Sequence, residues 1–155
     1  MQQKTIVNAE DGKHDLFIIR QFDLPLELVF KAYSEAELLE QWMGTKILKL
    51  ENQKFGGWQF ETKDEKGNVV FKANGVIHEF EPNRKIIRTF EMENAPFGVQ
   101  LEVLEFERTG NDTSSLRIHS IYETVAQRDQ LLKLPFAQGI NMAHNRLQNI
   151  VSRLK

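Results

Sequence analysis

The chain contains no cysteine. Disulfides, thiolate nucleophiles and cysteine-ligated zinc or iron–sulfur sites are therefore excluded, and the absence suits a reducing cytoplasm, where we expect the protein to reside. Neither sign of charge predominates: 20 lysines and arginines stand against 22 aspartates and glutamates, a formal charge of −2. That balance provides no basic field for a nucleic-acid backbone or an anionic lipid surface. No apolar run approaches the roughly 20 residues that span a bilayer, and residues 1–15 lack the apolar segment of a secretion signal. We expect no nucleic-acid partner and no membrane insertion. Metal and nucleophile motifs are missing too. His14, His78, His119 and His144 form no His-x-x-x-His pair, and there is neither a Gly-x-Ser-x-Gly elbow nor a phosphate-binding glycine loop. The expectation is no metal, no cofactor and no catalytic residue.

What is present is an ordinary folding composition, 41% apolar and 27% charged over 155 residues, with 11 phenylalanines against two tyrosines and two tryptophans. One domain is the expectation at this length. Residues 1–13 read as a flexible arm closed by the turn Asp11-Gly12, and residues 14–155 as the domain. Residues 14–22 are β-branched and aromatic, a strand apolar on both faces. Pro25 then opens a helix with Leu28, Val29, Ala32 and Tyr33 at helical spacing. Ser34, with Glu37 three residues on, predicts a capped second helix over 35–42, ended by Gly44.

From residue 46 to 123 the period is two, giving strands over 46–52, 58–63, 69–80, 85–93, 99–108 and 115–123. The connections are too short for parallel crossovers, so the sheet is an antiparallel meander. Gly56-Gly57 marks a bulge or a close approach of backbones. Residues 125–133 form a short helix. Phe136, Ile140, Ala143, Leu147, Ile150 and Leu154 then trace one apolar stripe on a final helix of about 18 residues, roughly 27 Å long. His144 lies one residue off that stripe, at its border.

The order predicts an α+β domain in which a curved seven-stranded antiparallel sheet wraps around the long C-terminal helix, with two short helices after the first strand. A helix about 10 Å wide does not fill such a concavity. Large side chains pack the remaining space solid or line a pocket within it. The candidates facing it are Trp58, Phe60, Phe71, Phe90, Leu101, Val103, Ile118 and Met142. Arg88 shares strand parity with Ile86, Phe90 and Met92, so it is either the polar handle of that space or a residue of the convex face. Glu102, a potential partner, alternates with Leu101 and Val103 and is expected to point outward, which favours the convex placement. Trp42 and Met43 end the second helix, where they gate a cavity entrance or staple the helix to the sheet.

Three segments together resemble a known family. Residues 28–44, L-V-F-K-A-Y-S-E-A-E-L-L-E-Q-W-M-G, resemble the V-F-x-A-W-T-D-P-E-x-L-x-x-W-W-G helix pair of proteins homologous to the activator of the heat-shock protein 90 ATPase. Residues 75–90, G-V-I-H-E-F-E-P-N-R-K-I-I-R-T-F, resemble that family's G-x-V-x-E-V-x-P-P-x-R-L-V-x-T-W hairpin, and Phe55-Gly56-Gly57-Trp58-Gln59-Phe60 its Gly-Gly-aromatic-x-Phe strand start. The resemblance runs from Arg20 to Leu154. It implies the helix-grip fold of START-like (SRPBCC, birch-pollen-allergen-like) proteins and a hydrophobic cavity between sheet and helix. The sequence departs from the pattern at three places: Trp42-Met43-Gly44-Thr45 replaces Trp-Trp-Gly-Pro, Trp58 directly follows Gly57, and Gly139-Ile140 replaces Gly-Trp.

These features yield three readings of function. The first is a non-catalytic carrier or sensor of a hydrophobic or amphipathic small molecule, held by the candidates above with Trp42 and Met43 at the entrance. The second, implied by the resemblance alone, is a regulator module with a chaperone partner. The third is an enzyme of the polyketide-cyclase type, which needs an acid or base inside the cavity where the sequence places mainly phenylalanine and aliphatics.

Overall fold

The computed structural model describes residues 3–155. Its strands are β1 (Thr5–Asn8), β2 (Asp15–Phe22), β3 (Lys46–Leu50), β4 (Gly57–Lys63), β5 (Val69–Glu81), β6 (Lys85–Met92), β7 (Val99–Arg108) and β8 (Ser114–Tyr122). The helices are α1 (Leu26–Ser34), α2 (Ala36–Met43), α3 (Val125–Leu132) and α4 (Phe136–Val151), the last continued by a 3-10 turn over Ser152–Leu154. All strands join one antiparallel sheet in the order β1-β2-β8-β7-β6-β5-β4-β3. Period-two burial sets its concave face: Leu16, Ile18, Arg20 and Phe22 from β2, Leu104 and Phe106 from β7, and Leu116 and Ile118 from β8 are all buried. Helix α4 crosses this face, burying Leu147 and Val151.

The sheet has eight strands rather than seven. The additional one lies inside the stretch read as a flexible arm: Thr5–Asn8 pairs antiparallel with β2, Thr5 opposite Arg20. (The arm's first two residues lie outside the described ones.) No apolar run announces this strand because polar tertiary contacts hold it. The Thr5 amide donates to Asn141 Oδ1 at 2.8 Å, and Arg128, 2% exposed, donates to the carbonyls of Glu10 at 2.7 Å and Asp15 at 2.9 Å. Nor does Ser34 cap α2. Its hydroxyl donates back to the Phe30 carbonyl at 2.8 Å inside α1, and Glu35, extended at φ −100°, takes the N-cap position without a side-chain bond. Gly44 ends α2 in the left-handed conformation (φ 68°) that favours glycine.

A second core cluster of Trp58, Phe60, Ala73 and Ile77 lies toward the β3 edge. Two glycines make it buildable. A Cβ on Gly56 would overlap the Glu51 carbonyl, so this segment is a close backbone approach. A Cβ on Gly75 would overlap the Thr89 carbonyl and come within 2.6 Å of Trp58 Nε1, the atom that donates to that same carbonyl at 3.1 Å. Gly75→Ala is therefore expected to shift the indole, break this bond and cost about 1–3 kcal/mol, as overpacking does. Urea denaturation checks it, and an unchanged midpoint would show that the strands separate freely.

Candidate binding site

Period-two alternation on β6, β7 and β8 turns one row of side chains toward α4, and the register aligns their polar members. Arg88 stands opposite Glu102, which stands opposite Ser120; beside them Phe90 faces Gln100, which faces Tyr122. Above this floor are α2, the α3–α4 junction and the first half of α4. Between floor and roof lies a pocket of about 240 Å³. Leu39, Trp42 and Met43 close it from α2, Leu131 and Phe136 from the junction, Ile140 and Ala143 from α4, and Phe97 from the loop before β7. Ile140 and Ala143 are only half-buried although they sit on the core-facing stripe, because this pocket takes the place of packed atoms there.

One polar cluster interrupts the apolar lining. Arg88 Nε donates to Glu102 Oε1 at 3.0 Å, and Gln100 Nε2 donates to Glu102 Oε2 at 3.0 Å. Arg88 and Glu102 are 9% and 8% exposed, and the guanidinium lies over the Trp58 ring at 4.9 Å. Glu102 therefore points inward, not outward as its apolar neighbours suggested. Leu101 and Val103, which alternate with it, take the opposite face instead, Leu101 being 37% exposed. The register places Glu102 opposite Arg88, so the buried guanidinium meets a carboxylate there.

The remaining expected positions divide as follows. Phe90, Ile118 and Arg88 line the pocket, as do Trp42 and Met43. Trp42 is also a staple: its Nε1 donates to the Ala32 carbonyl at 2.8 Å, and its own carbonyl accepts from Arg146 Nε at 2.9 Å. Trp58 and Phe60 are fully buried in the second cluster and Phe71 packs against it, all away from the pocket lining. Met142 is 51% exposed on the outer side of α4. Phe97, Leu131, Ile140 and Ala143 line the pocket without having been singled out. The stripe held the signal for the last two, whereas Phe97 sat in a connection that offers no periodicity.

Two buried hydroxyls on this floor, Ser120 Oγ and Tyr122 OH, have no hydrogen-bond partner among the described residues. Burial, together with the nearby Glu102 carboxylate, pushes the Tyr122 phenol well above the usual range, so it stays protonated. An unsatisfied buried hydroxyl carries a desolvation penalty with nothing to offset it. Ser120→Ala is accordingly expected to leave stability unchanged or raise it by about 1 kcal/mol in urea denaturation. A loss of similar size would mean the hydroxyl is bonded in solution.

Behind the pocket wall His144 is fully buried rather than at the border of the stripe. Its Nδ1 lies 2.7 Å from Thr5 Oγ1 and its Nε2 2.7 Å from the Tyr33 hydroxyl. Arg20, 1% exposed, binds Asn145 Oδ1 at 2.9 Å and Thr5 Oγ1 at 3.3 Å in the same layer. Burial, reinforced by the Arg20 charge, pushes the imidazole down to about 3, so it is neutral and joins β1, α1 and α4 as a structural link. Among the described residues no group of three or more His, Asp or Glu side chains is placed to hold a metal ion, and no helix is long and apolar enough to cross a membrane.

This arrangement of sheet, helix pair and closing helix recurs in known proteins. The family model described as "Activator of Hsp90 ATPase homolog 1-like protein" matches residues 23–152. The chain belongs to that family. None of the curated proteins matches it. Solved structures resemble it along nearly its whole length. A crystal structure of a Rhodobacter sphaeroides protein superposes with a TM-score of 0.86 at 18% identity, covering 97% of this chain and 99% of that one. A Mycobacterium smegmatis protein gives 0.80 at 16% identity, covering 95% and 96%. A Nitrosomonas europaea protein gives 0.78 at 21%, covering 96% and 100%. At these identities the likeness establishes the fold alone, an antiparallel sheet closed by a long C-terminal helix. Two of the three departures from the family pattern, Met43 and Ile140, fall on the pocket lining, where the pattern has tryptophans.

Proposed function

We propose that the protein is a non-catalytic carrier or sensor that holds a small hydrophobic or amphipathic molecule in the pocket between α4 and the sheet. The observation carrying this reading is the largely apolar pocket of about 240 Å³ with one polar cluster on its floor. Protein interiors otherwise pack without voids of this size. Met43 and Ile140, smaller than the tryptophans of the family pattern, leave that room. Phe90, Ile118, Trp42 and Met43 provide the apolar contact and Arg88 a polar one. No carboxylic acid or histidine stands free on the floor as a general acid or base, since both Glu102 oxygens are engaged, which disfavours the cyclase reading. An apolar cavity of about 150 Å³ holds benzene, so this one admits a molecule of roughly ten heavy atoms. Burying about 300 Å² contributes roughly 7 kcal/mol before association costs are subtracted, which places affinity in the micromolar-to-millimolar range.

A thermal-shift screen of size-graded compounds tests the reading. Bicyclic aromatics are expected to raise the melting temperature, while sterols and long-chain fatty acids leave it unchanged. Ile140→Trp, which refills the space, is expected to abolish the response without lowering the melting temperature. If no compound in the series stabilises the protein, the carrier reading fails.

A further inference from the structure

The polar end of the pocket has a specific hydrogen-bonding demand. Arg88 is held through Nε alone, and its two terminal amino groups make no hydrogen bond among the described residues although the residue is 9% exposed. Ser120 Oγ, one strand beyond Glu102 in register, is 1% exposed, lines the pocket and has no partner. These groups can all donate, and none is matched by an acceptor in the protein. Charge, by contrast, is already balanced. The Arg88 guanidinium has its counter-ion at 3.0 Å, and each Glu102 oxygen accepts one bond, from Arg88 and from Gln100.

Building on the carrier reading, we propose that the pocket selects a neutral molecule of roughly ten heavy atoms bearing one hydrogen-bond-accepting oxygen, a ketone or comparable carbonyl compound, and rejects carboxylates of the same size. A carbonyl oxygen placed at the floor accepts from Arg88 and Ser120 and leaves the charge at zero. A ligand carboxylate there puts two negative charges beside one guanidinium in a water-poor space, where repulsion is weakly screened. A plain hydrocarbon fills the volume but leaves the same donors unmet, so it gains only the apolar contact.

Calorimetric titration of the full chain at neutral pH with 1-tetralone, tetralin and cinnamate, a carboxylate with as many heavy atoms as the ketone, tests this choice. The ketone is expected to bind about tenfold more tightly than the hydrocarbon, as a matched polar group does, and the carboxylate to bind at least tenfold more weakly than the ketone. Ser120→Ala strands no protein partner, so the fold is retained. It is expected to weaken the ketone about fivefold and leave tetralin unchanged. Equal affinity for ketone and hydrocarbon, or an unaltered ketone affinity in the Ser120 variant, overturns the selection while leaving the carrier reading intact. Preference for cinnamate overturns it in favour of an anion site. Failure of all three compounds to bind overturns both.

Discussion

Glu102→Ala is expected to cost about 3–5 kcal/mol of stability, the penalty for leaving a buried charge without its partner. The loss comes less from the missing attraction than from what remains: Arg88, 9% exposed and clasped between the sheet and the Trp58 ring, keeps its charge with no carboxylate nearby. The Gln100 amide loses its acceptor at the same stroke. Glu102→Gln, which keeps an acceptor, should lose about half as much. The double change Arg88→Met with Glu102→Leu removes both charges and is expected to recover most of the stability, because an apolar pair of similar volume replaces a costly buried ion pair. Urea denaturation of the four proteins at pH 7 reads this directly. A loss below 1 kcal/mol for Glu102→Ala would mean water reaches the pair and the floor of the pocket is wet.

Mild acid is expected to destabilise the protein through His144. The unfolded chain takes up a proton near pH 6.5, but the folded state resists it down to about 3. Because the folded affinity for the proton is the lower one, the stability due to this group is complete above pH 6.5 and declines as pH falls toward 3. At about 1.4 kcal/mol per pH unit, the loss between pH 6.5 and 5 is roughly 2 kcal/mol. The proton would enter a layer facing the Arg20 charge from β2, the Tyr33 phenol from α1 and the Thr5 hydroxyl from β1. Asp15, held low by its bond to His119, contributes with the same sign only below the ordinary carboxylate range, so it leaves this window clear. Urea midpoints at pH 6.5 and 5 measure the decline. His144→Gln, which keeps hydrogen-bonding capacity without the titration, should flatten it; an equally steep decline in that variant would assign the effect to other groups.

The strands were legible because most of the sheet has one buried and one open face, and the period of two follows from that. The alternating four- and three-residue spacing of α4 was legible for the same reason. Legibility ended where polar residues face inward. On β7, Leu101 and Val103 compete with Gln100 and Glu102 for the inner face, and hydrophobicity alone assigns it to the wrong pair. The decision rests on register, since only pairing brings Glu102 opposite Arg88. On α4, His144 occupies a buried position because hydroxyls from α1 and β1 meet both ring nitrogens, partners that lie 111 and 139 residues away in sequence. Strand β1 went unread for the same physical reason: besides its pairing with β2, it is held by Asn141 and His144 of the distant α4, which meet the Thr5 amide and hydroxyl. Family resemblance directed attention to the space between sheet and helix; the polar row along it emerged only from three strands in register.

The claim on which the rest depends is that a small molecule enters the space under α4. Methyl-resolved NMR of the full chain titrated with 1-tetralone addresses it most directly. The expected result is saturable shifts at Met43, Ile118 and Ile140, with the exposed Val69 and Val70 of β5 unmoved. Shifts confined to those valines, or none anywhere, would contradict it.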